Sequence, residues 1–186
     1  NNINTDLIFA IPCQSLQEWC ETLENISLMN PEHISCYSLQ IEEGTVFGDM
    51  FSKGILTPLT DEEDREMYYM AKEILGDAGY KHYEISNFAK PAFECKHNLT
   101  YWQYRPYIGI GAGAHSYFDG KRYNNVNSPE YYIDLIQKGK QATENLISIG
   151  MKEAMSEYMF LGLRLIEGVR PKDFKGKFGI DLWSVF

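Results

Sequence analysis

The stretch Thr5-Asp6-Leu7-Ile8-Phe9-Ala10-Ile11-Pro12 decides the fold class, because it is a short, nearly continuous apolar run that ends at a proline. Such a run is typical of a strand that is covered on both faces in a parallel sheet. A capping box begins at Ser15, and the apolar residues after it recur at helical spacing until Asn30-Pro31. Residues 33–41 form the next predicted strand. A strand, a helix and a strand joined by short loops predict a βαβ unit whose two strands are parallel neighbours.

The rest of the chain carries further helix and strand signals. A second capping box at Thr60 predicts a helix that stops at Gly79, and Ser128-Pro129 predicts a short helix that ends near residue 138. Residues 82–88 alternate well enough to predict one strand, and residues 152–167 predict another amphipathic helix. The pattern as a whole predicts an α/β fold.

The composition of the 186 residues excludes several classes of protein. Hydrophobic residues make up 44% and charged residues 23%, as in a globular chain rather than a disordered one. The formal net charge of −9 argues against a broad phosphate-binding surface, so nucleic acid is not an expected partner. No apolar run approaches the ~20 residues of a membrane-spanning helix and no secretory signal is visible, so a cytoplasmic location is expected. Because the chain starts at Asn1 without a methionine, we expect it to be part of a longer protein.

The four cysteines show no spacing that indicates a metal site. Cys13, Cys20, Cys36 and Cys95 include no C-x-x-C pair, the arrangement that zinc sites, redox dithiols and iron–sulfur sites commonly contain. We expect most of them to be reduced, buried thiols.

A glycine-rich segment, residues 109–115, invites comparison with loops that bind phosphate groups. The spacing does not fit, because a dinucleotide-binding loop needs G-x-G-x-x-G and a P-loop needs a following Gly-Lys-Ser/Thr. The favoured interpretation is a strand whose glycines permit close packing of the backbone or close approach of a ligand.

The segment His97-Asn98-Leu99-Thr100-Tyr101-Trp102 places an imidazole, an amide, a phenol and an indole within six residues. Such a set can grip a flat aromatic ligand by stacking and by one axial nitrogen, as haem sites do. A surface turn with a packed tryptophan explains the same residues without a ligand, and on the residues alone it is the favoured interpretation. His33 and His82 stand at strand starts and are expected to be structural or solvated.

Several segments, in their order along the chain, resemble the radical S-adenosylmethionine family of oxygen-independent coproporphyrinogen III oxidases, and most closely its HemW-like branch, which is known as haem chaperones. Six ordered segments carry the resemblance. Residues 6–19 resemble DLIYGLPGQT-x-x-x-W, residues 30–39 resemble NPEHISAYSL, and residues 42–47 resemble EPGT-x-F. Residues 80–90 resemble GYEQYEISNFAR, residues 97–102 resemble the HN-x-x-YW signature of the HemW-like branch, and residues 109–116 resemble GLGAGAHS. Residues 162–169 resemble the start of the family's small C-terminal helical domain.

The resemblance implies an α/β fold in which residues 1–50 are the last strands of a partial (β/α)6 radical-SAM barrel. Residues 51–150 then extend the sheet and supply covering helices, and residues 151–186 begin the helical C-terminal domain. The family's three-cysteine loop, which holds a 4Fe-4S cluster, belongs to the first barrel strand and is not present in this sequence. This chain alone is therefore expected to hold no cluster and to carry out no radical chemistry.

The resemblance also implies cofactor contacts. Asp6 and Gln40 match positions that contact S-adenosylmethionine in the family, and His115 matches a further contact near the second cofactor site. Gln14 matches a neighbour at a strand end that has no firm role.

Four residues match the haem-associated signature: His97, Asn98, Tyr101 and Trp102. Among them, His97 is the candidate ligand of the haem iron. The resemblance makes ligand binding the favoured interpretation of this segment. The sequence departs from the family at Ala10 and Cys13, which stand where the family has glycines, so the loop after the first strand is expected to be reshaped.

Three functional hypotheses follow. In the leading one, the full-length protein is a HemW-like radical-SAM protein that binds haem and passes it to an acceptor protein. In the second, it is a true oxidase that decarboxylates two propionates of coproporphyrinogen III to vinyl groups. In the third, the chain is a scaffold fragment that retains no ligand site. The HN-x-x-YW segment favours the first.

Overall fold

The computed structural model describes residues 2–186 and contains the predicted βαβ unit. Strands β1 (Asn4–Phe9) and β2 (His33–Ser38) are parallel neighbours, and helix α1 (Leu16–Met29) connects them. Both strands end earlier than predicted. β1 stops because the next residue, Ala10, turns the backbone to a φ of +57°.

The chain divides into two units, one that ends at Cys95 and one that begins at Lys96. The first unit holds a four-stranded sheet of order β1-β2-β4-β3, in which β4 is antiparallel to both of its neighbours. Its further elements are α2 (Val46–Ser52), α3 (Asp61–Asp77), β3 (Lys81–Glu84) and β4 (Asn87–Ala89).

The second unit holds an antiparallel sheet of order β5-β6-β7. Its strands are β5 (His115–Phe118), β6 (Lys121–Asn125) and β7 (Thr143–Ser148). Its helices are α4 (Lys96–Trp102), α5 (Pro129–Gln137), α6 (Met151–Gly162) and α7 (Pro171–Phe178), followed by a 3-10 turn, Leu182–Ser184.

The two predicted capping boxes start the two long helices of the first unit. Ser15 accepts a hydrogen bond from the Glu18 backbone N–H, and the Glu18 carboxylate accepts one from the Ser15 backbone. Thr60 and Glu63 repeat this exchange at the start of α3. These reciprocal bonds satisfy N–H groups that have no partner inside the helix, so the helix starts are fixed locally.

α1 and α3 pack on one face of the first sheet and form the core of this unit. Trp19 is fully buried and its indole N–H donates to the carbonyl oxygen of Met67 at 2.9 Å. The bond lets a large aromatic side chain enter the core without leaving a polar atom unpaired. The opposite face of the sheet carries polar side chains, including Asn4 and Asp6, together with the exposed Ile8 and Tyr37.

The single strand predicted over residues 82–88 was wrong, because this segment folds as the tight hairpin of β3 and β4. The buried carboxylate of Glu84 accepts hydrogen bonds from the Ser86 backbone N–H, at 3.2 Å, and from the side-chain amide of Asn87. These bonds reverse the chain without a glycine or a proline, so the usual turn signal is missing.

Two predictions for the second unit also need correction. Residues 109–114 form an irregular loop and not a strand, since β5 begins only at His115. The helix predicted over residues 152–167 ends at Gly162, where a Cβ atom would lie 2.5 Å from the Val169 side chain. The chain then turns at Gly168 before Pro171 starts α7. The predicted helix after Ser128 is confirmed.

The core of the second unit is aromatic. Phe174 of α7 is fully buried and packs with Met155 of α6 and with Leu182. Across residues 2–186 the helices are too short or too polar to cross a bilayer.

Candidate functional site

Asp6 lies in the middle of β1 on the sheet face opposite α1 and α3, where a network of hydrogen-bonded side chains orients its exposed carboxylate. The amide nitrogen of Asn4 donates to Asp6 Oδ1 at 2.8 Å, and the amide oxygen of Asn4 lies 2.5 Å from His33 Nδ1. Because an amide oxygen can only accept, Nδ1 carries the imidazole proton. The other ring nitrogen, Nε2, therefore accepts from the Tyr83 hydroxyl at 2.7 Å.

The surroundings of His33 and Tyr83 keep these two side chains neutral at neutral pH. Burial lowers the pKa of His33, while the nearby carboxylate of Asp6 opposes that shift. Burial raises the pKa of Tyr83, whose oxygen also accepts the backbone N–H of Cys95 at 3.2 Å. A neutral imidazole between Asn4 and Tyr83 satisfies every donor and acceptor of the ring. His33 is thus structural, as expected, and it also positions Asp6 through Asn4.

The loop after β1 holds Gln14 in a purely local role. Its backbone N–H donates to the Ile11 carbonyl at 2.8 Å, and its side-chain oxygen accepts the Ile11 N–H at 3.2 Å. Ala10 and Cys13, which stand where the resembling family has glycines, have φ angles of +57° and +67°. The loop keeps a glycine-type conformation although neither residue is glycine.

Gln40 follows β2 and is exposed. The preceding residue, Leu39, still donates its N–H to the Phe9 carbonyl at 2.9 Å, so the pairing of the two strands continues to this point. Asp6 and Gln40 both belong to the first unit, and no hydrogen bond within the described residues joins them. The remaining site residues, His97 to Trp102 and His115, belong to the second unit.

The HN-x-x-YW segment forms helix α4, so the turn favoured on the residues alone was wrong. The helix places His97 and Tyr101, four residues apart, on one side, with ring centroids 4.9 Å apart and planes at 86°. Tyr101 in turn meets Tyr107 at 4.6 Å. The imidazole of His97 is exposed and makes no hydrogen bond within residues 2–186. Both ring nitrogens therefore lack a hydrogen-bond partner among the described residues.

Trp102 lies on another side of α4 and packs against α6. The guanidinium of Arg164 stacks on its indole ring at 4.5 Å, which confirms the packed tryptophan of the turn hypothesis. The indole N–H is buried without an acceptor among the described residues. Asn98 makes no hydrogen bond to His97. The helix therefore separates the signature into a His97–Tyr101 side and a Trp102 side.

A small cavity of about 150 Å³ opens beside Tyr101, and we call it the tyrosine cavity. Its lining residues are Tyr101, Tyr104, Arg105, Tyr107, Tyr117, Arg122 and Leu161. Arg122 is held by two hydrogen bonds to the Glu157 carboxylate, at 2.9 and 3.0 Å. The sequence does not predict this cavity, and its one signal is the density of tyrosines around the glycine segment.

Backbone N–H groups of the glycine segment, residues 109–115, donate hydrogen bonds to other groups of the protein. The N–H of Gly109 donates to the Ser116 hydroxyl at 2.9 Å, and that of Gly113 donates to the Val126 carbonyl at 3.0 Å. A Cβ atom on Gly109 would lie 2.3 Å from the carbonyl oxygen of His115, so close backbone packing requires glycine there. These bonds support the rejection of a phosphate loop. His115 itself is exposed at the start of β5.

The four cysteines are unpaired thiols, but the expectation that most are buried was wrong. Only Cys36 is buried, and burial raises its pKa to about 12. Cys13 is exposed in the loop after β1. Within residues 2–186 no three His, Cys, Asp or Glu side chains are grouped so that they could hold a metal ion. The described residues therefore do not fit a 4Fe-4S cluster, while a single exposed imidazole such as His97 does fit the axial position of a haem.

Known proteins match this chain along nearly all of its length. It is 40% identical to the heme chaperone HemW of Bacillus subtilis over 185 residues, which are 100% of this chain and 49% of that protein. It is 39% identical to HemW of Lactococcus lactis over 95% of this chain and 46% of that protein. The HemN C-terminal domain family matches residues 151–186. These matches confirm the resemblance to the HemW-like branch.

A solved structure shares the fold of this chain. Coproporphyrinogen III oxidase HemN of Escherichia coli, a radical SAM enzyme, superposes with a TM-score of 0.69 at 15% identity, covering 95% of this chain and 43% of that one. At this identity the likeness concerns the mixed α/β fold alone. The chain spans about half the length of the HemW proteins it matches.

Proposed function

We propose that this chain is part of a HemW-type haem chaperone and that His97 is the axial ligand of the haem iron. The observation that carries the proposal is the exposed imidazole of His97 on α4, which forms no hydrogen bond within the described residues and stands edge-on to the Tyr101 ring. A neutral imidazole is a common protein ligand of haem iron, and an adjacent phenol ring offers contact to the flat macrocycle.

The fold supports a wider set of proposals for the full-length protein. The parallel pair β1 and β2 suits the last strands of a partial (β/α)6 barrel, with residues 1–50, 51–150 and 151–186 as barrel, sheet extension and C-terminal domain. Asp6, Gln40 and His115 are proposed contacts of S-adenosylmethionine. Asp6 is the best oriented of the three for contact with the cofactor, because a hydrogen bond from Asn4 holds its carboxylate in place. The 4Fe-4S cluster is assigned to residues outside this sequence. A cytoplasmic location and a haem-acceptor protein as partner belong to the same proposal.

The test is a haem titration of the full-length protein and of its His97→Ala variant. If His97 binds the iron, the variant loses or shifts the Soret band, keeps the absorbance of its cluster and unfolds at the wild-type temperature. Lys96→Ala, an exposed neighbour on the same helix, is the matched control and leaves the haem spectrum unchanged.

If His97 has a purely structural role, the opposite result is expected for the His97→Ala variant. In that case the variant melts at a lower temperature and its haem spectrum stays that of the wild type. Decarboxylation of coproporphyrinogen III by the reconstituted wild-type protein would favour the oxidase hypothesis over the chaperone. Absence of both haem binding and S-adenosylmethionine binding would favour a scaffold.

A further inference from the structure

We propose that the tyrosine cavity receives a propionate carboxylate of the haem that His97 binds, and that Arg105 is the residue that pairs with it. The inference rests on the haem-binding function proposed above and adds the recognition of the ligand's acidic side chain. The cavity begins at Tyr101, whose ring contacts His97 on the same side of α4. A tetrapyrrole bound at His97 with its propionate edge toward Tyr101 would meet this cavity.

The charges around the cavity favour an anion. Two arginines line it, and no carboxylate is among its lining residues. Arg122 is already occupied by the Glu157 carboxylate through two hydrogen bonds. Arg105 is exposed, and its guanidinium forms no hydrogen bond or ion pair within residues 2–186. A planar guanidinium with free N–H groups is the protein group best suited to grip a carboxylate with two parallel bonds.

The walls of the cavity suit the rest of a propionate arm. Tyr104 is buried and Tyr107 is half-buried, and burial raises the pKa of both phenols. Both therefore remain neutral near pH 7, do not repel an anion, and present a hydroxyl group that can donate. A cavity of about 150 Å³ can hold benzene, and a propionate arm is smaller than benzene. The macrocycle itself is far too large for it.

The position of Arg105 is fixed by the end of α4. Its backbone N–H donates to the Thr100 carbonyl at 2.9 Å, which closes the turn after the helix. The side chain also borders a second pocket, of about 290 Å³, next to Trp102. That pocket is lined by two acidic residues, Glu167 and Asp173, and by a second arginine, Arg170, which is paired with Glu167 at 2.7 Å. Asp173 offsets the charge of Arg105 there, so the pocket is less favourable for an anion than the tyrosine cavity.

The experiment compares haem with haem dimethyl ester, in which both propionates are esterified, on the full-length protein. If the inference is correct, Arg105→Gln weakens haem binding about tenfold or more, which is the loss of a charge-assisted hydrogen bond. The wild type binds the ester about as weakly as the variant binds haem, and Arg105→Gln does not weaken the ester further. Arg65→Gln, the same charge change on the exposed side of α3, leaves both affinities unchanged.

Other outcomes separate the possible failures. Equal weakening of haem and ester by Arg105→Gln would overturn the inference, because the arginine would then not recognise a carboxylate. No effect on either ligand would overturn it as well. If S-adenosylmethionine binding falls in Arg105→Gln and haem binding does not, the carboxylate belongs to the methionine part of that cofactor and the inference is wrong. Loss of the Soret change in His97→Ala, with no effect of Arg105→Gln, would leave the proposed function standing alone. A wild type that binds no haem overturns both.

Discussion

Two residues of the loop after β1 hold backbone conformations that glycine adopts at less cost. Cys13 has a φ of +67° and an exposed side chain, so its Cβ is strained without compensating contacts in a core. Ala10 has a φ of +57° but is buried, so its methyl group recovers part of the cost. The left-handed backbone at both positions gives the family's glycines a physical reason here.

Replacing Cys13 with glycine is expected to raise the free energy of unfolding by about 0.5–1 kcal/mol, since relief of the left-handed strain exceeds the entropy that glycine adds to the unfolded chain. Urea denaturation measures the change. Cys13→Ser keeps the Cβ atom and removes the thiol, so it is expected to give no gain. An equal gain in both variants would show that the thiol, and not the backbone, is responsible.

At the scale of elements, the sequence predicts what local chemistry determines and misses what distant contacts determine. The starts of α1 and α3 could be predicted to the residue, because Ser15 and Thr60 form their capping bonds within four residues of chain. The parallel pairing of β1 and β2 followed from the short crossover. Asp119-Gly120 is a strong local hairpin signal, and it forms the turn between β5 and β6.

The candidate site was predicted only in part for the same reason. The aromatic signature could be found from residue types, but its division between two sides of α4 could not. α4 has seven residues and lacks a capping signal, so nothing local identified it as a helix. The tyrosine cavity depends on Tyr117, which a bridge to Tyr107 brings to the segment after α4, and on Arg122, which is paired with Tyr117 between β5 and β6. The link from His33 to Asp6 depends equally on the register of β1 against β2.

The first sheet is expected to lose stability as the pH is lowered below the ordinary histidine pKa of 6.5. Burial lowers the pKa values of both His33 and His82, so in this pH range the unfolded chain binds more protons at these histidines than the folded sheet does. The free energy of unfolding then decreases with falling pH, from about 6.5 down to the lowered values, by at most about 1.4 kcal/mol per pH unit for each histidine.

Urea denaturation at several pH values between about 7 and 5.5 tests this, above the range in which carboxylates titrate. His33→Gln keeps a polar side chain between Asn4 and Tyr83 and is expected to show a shallower dependence on pH than the wild type. The comparison of slopes matters more than absolute stability, because protonation also relieves repulsion in a chain of net charge −9. Equal slopes in variant and wild type would show that His33 is protonated as easily in the folded sheet as in the unfolded chain.

At the scale of the whole molecule, the 186-residue chain expressed alone is expected to be colourless and free of iron. A 4Fe-4S cluster needs several thiolates that converge on one point. The thiols here lie in a loop, on a helix, in the core of a sheet and before α4, and the buried thiol of Cys36 has a pKa of about 12, so its thiolate is disfavoured. Iron and sulfide analysis after anaerobic reconstitution measures the outcome, with the full-length protein reconstituted in parallel as the positive control. Stoichiometric iron and sulfide in the short chain, lost on substitution of its cysteines, would show that the cluster ligands lie among these residues. The proposal that the cluster is held by residues outside this sequence would then be wrong.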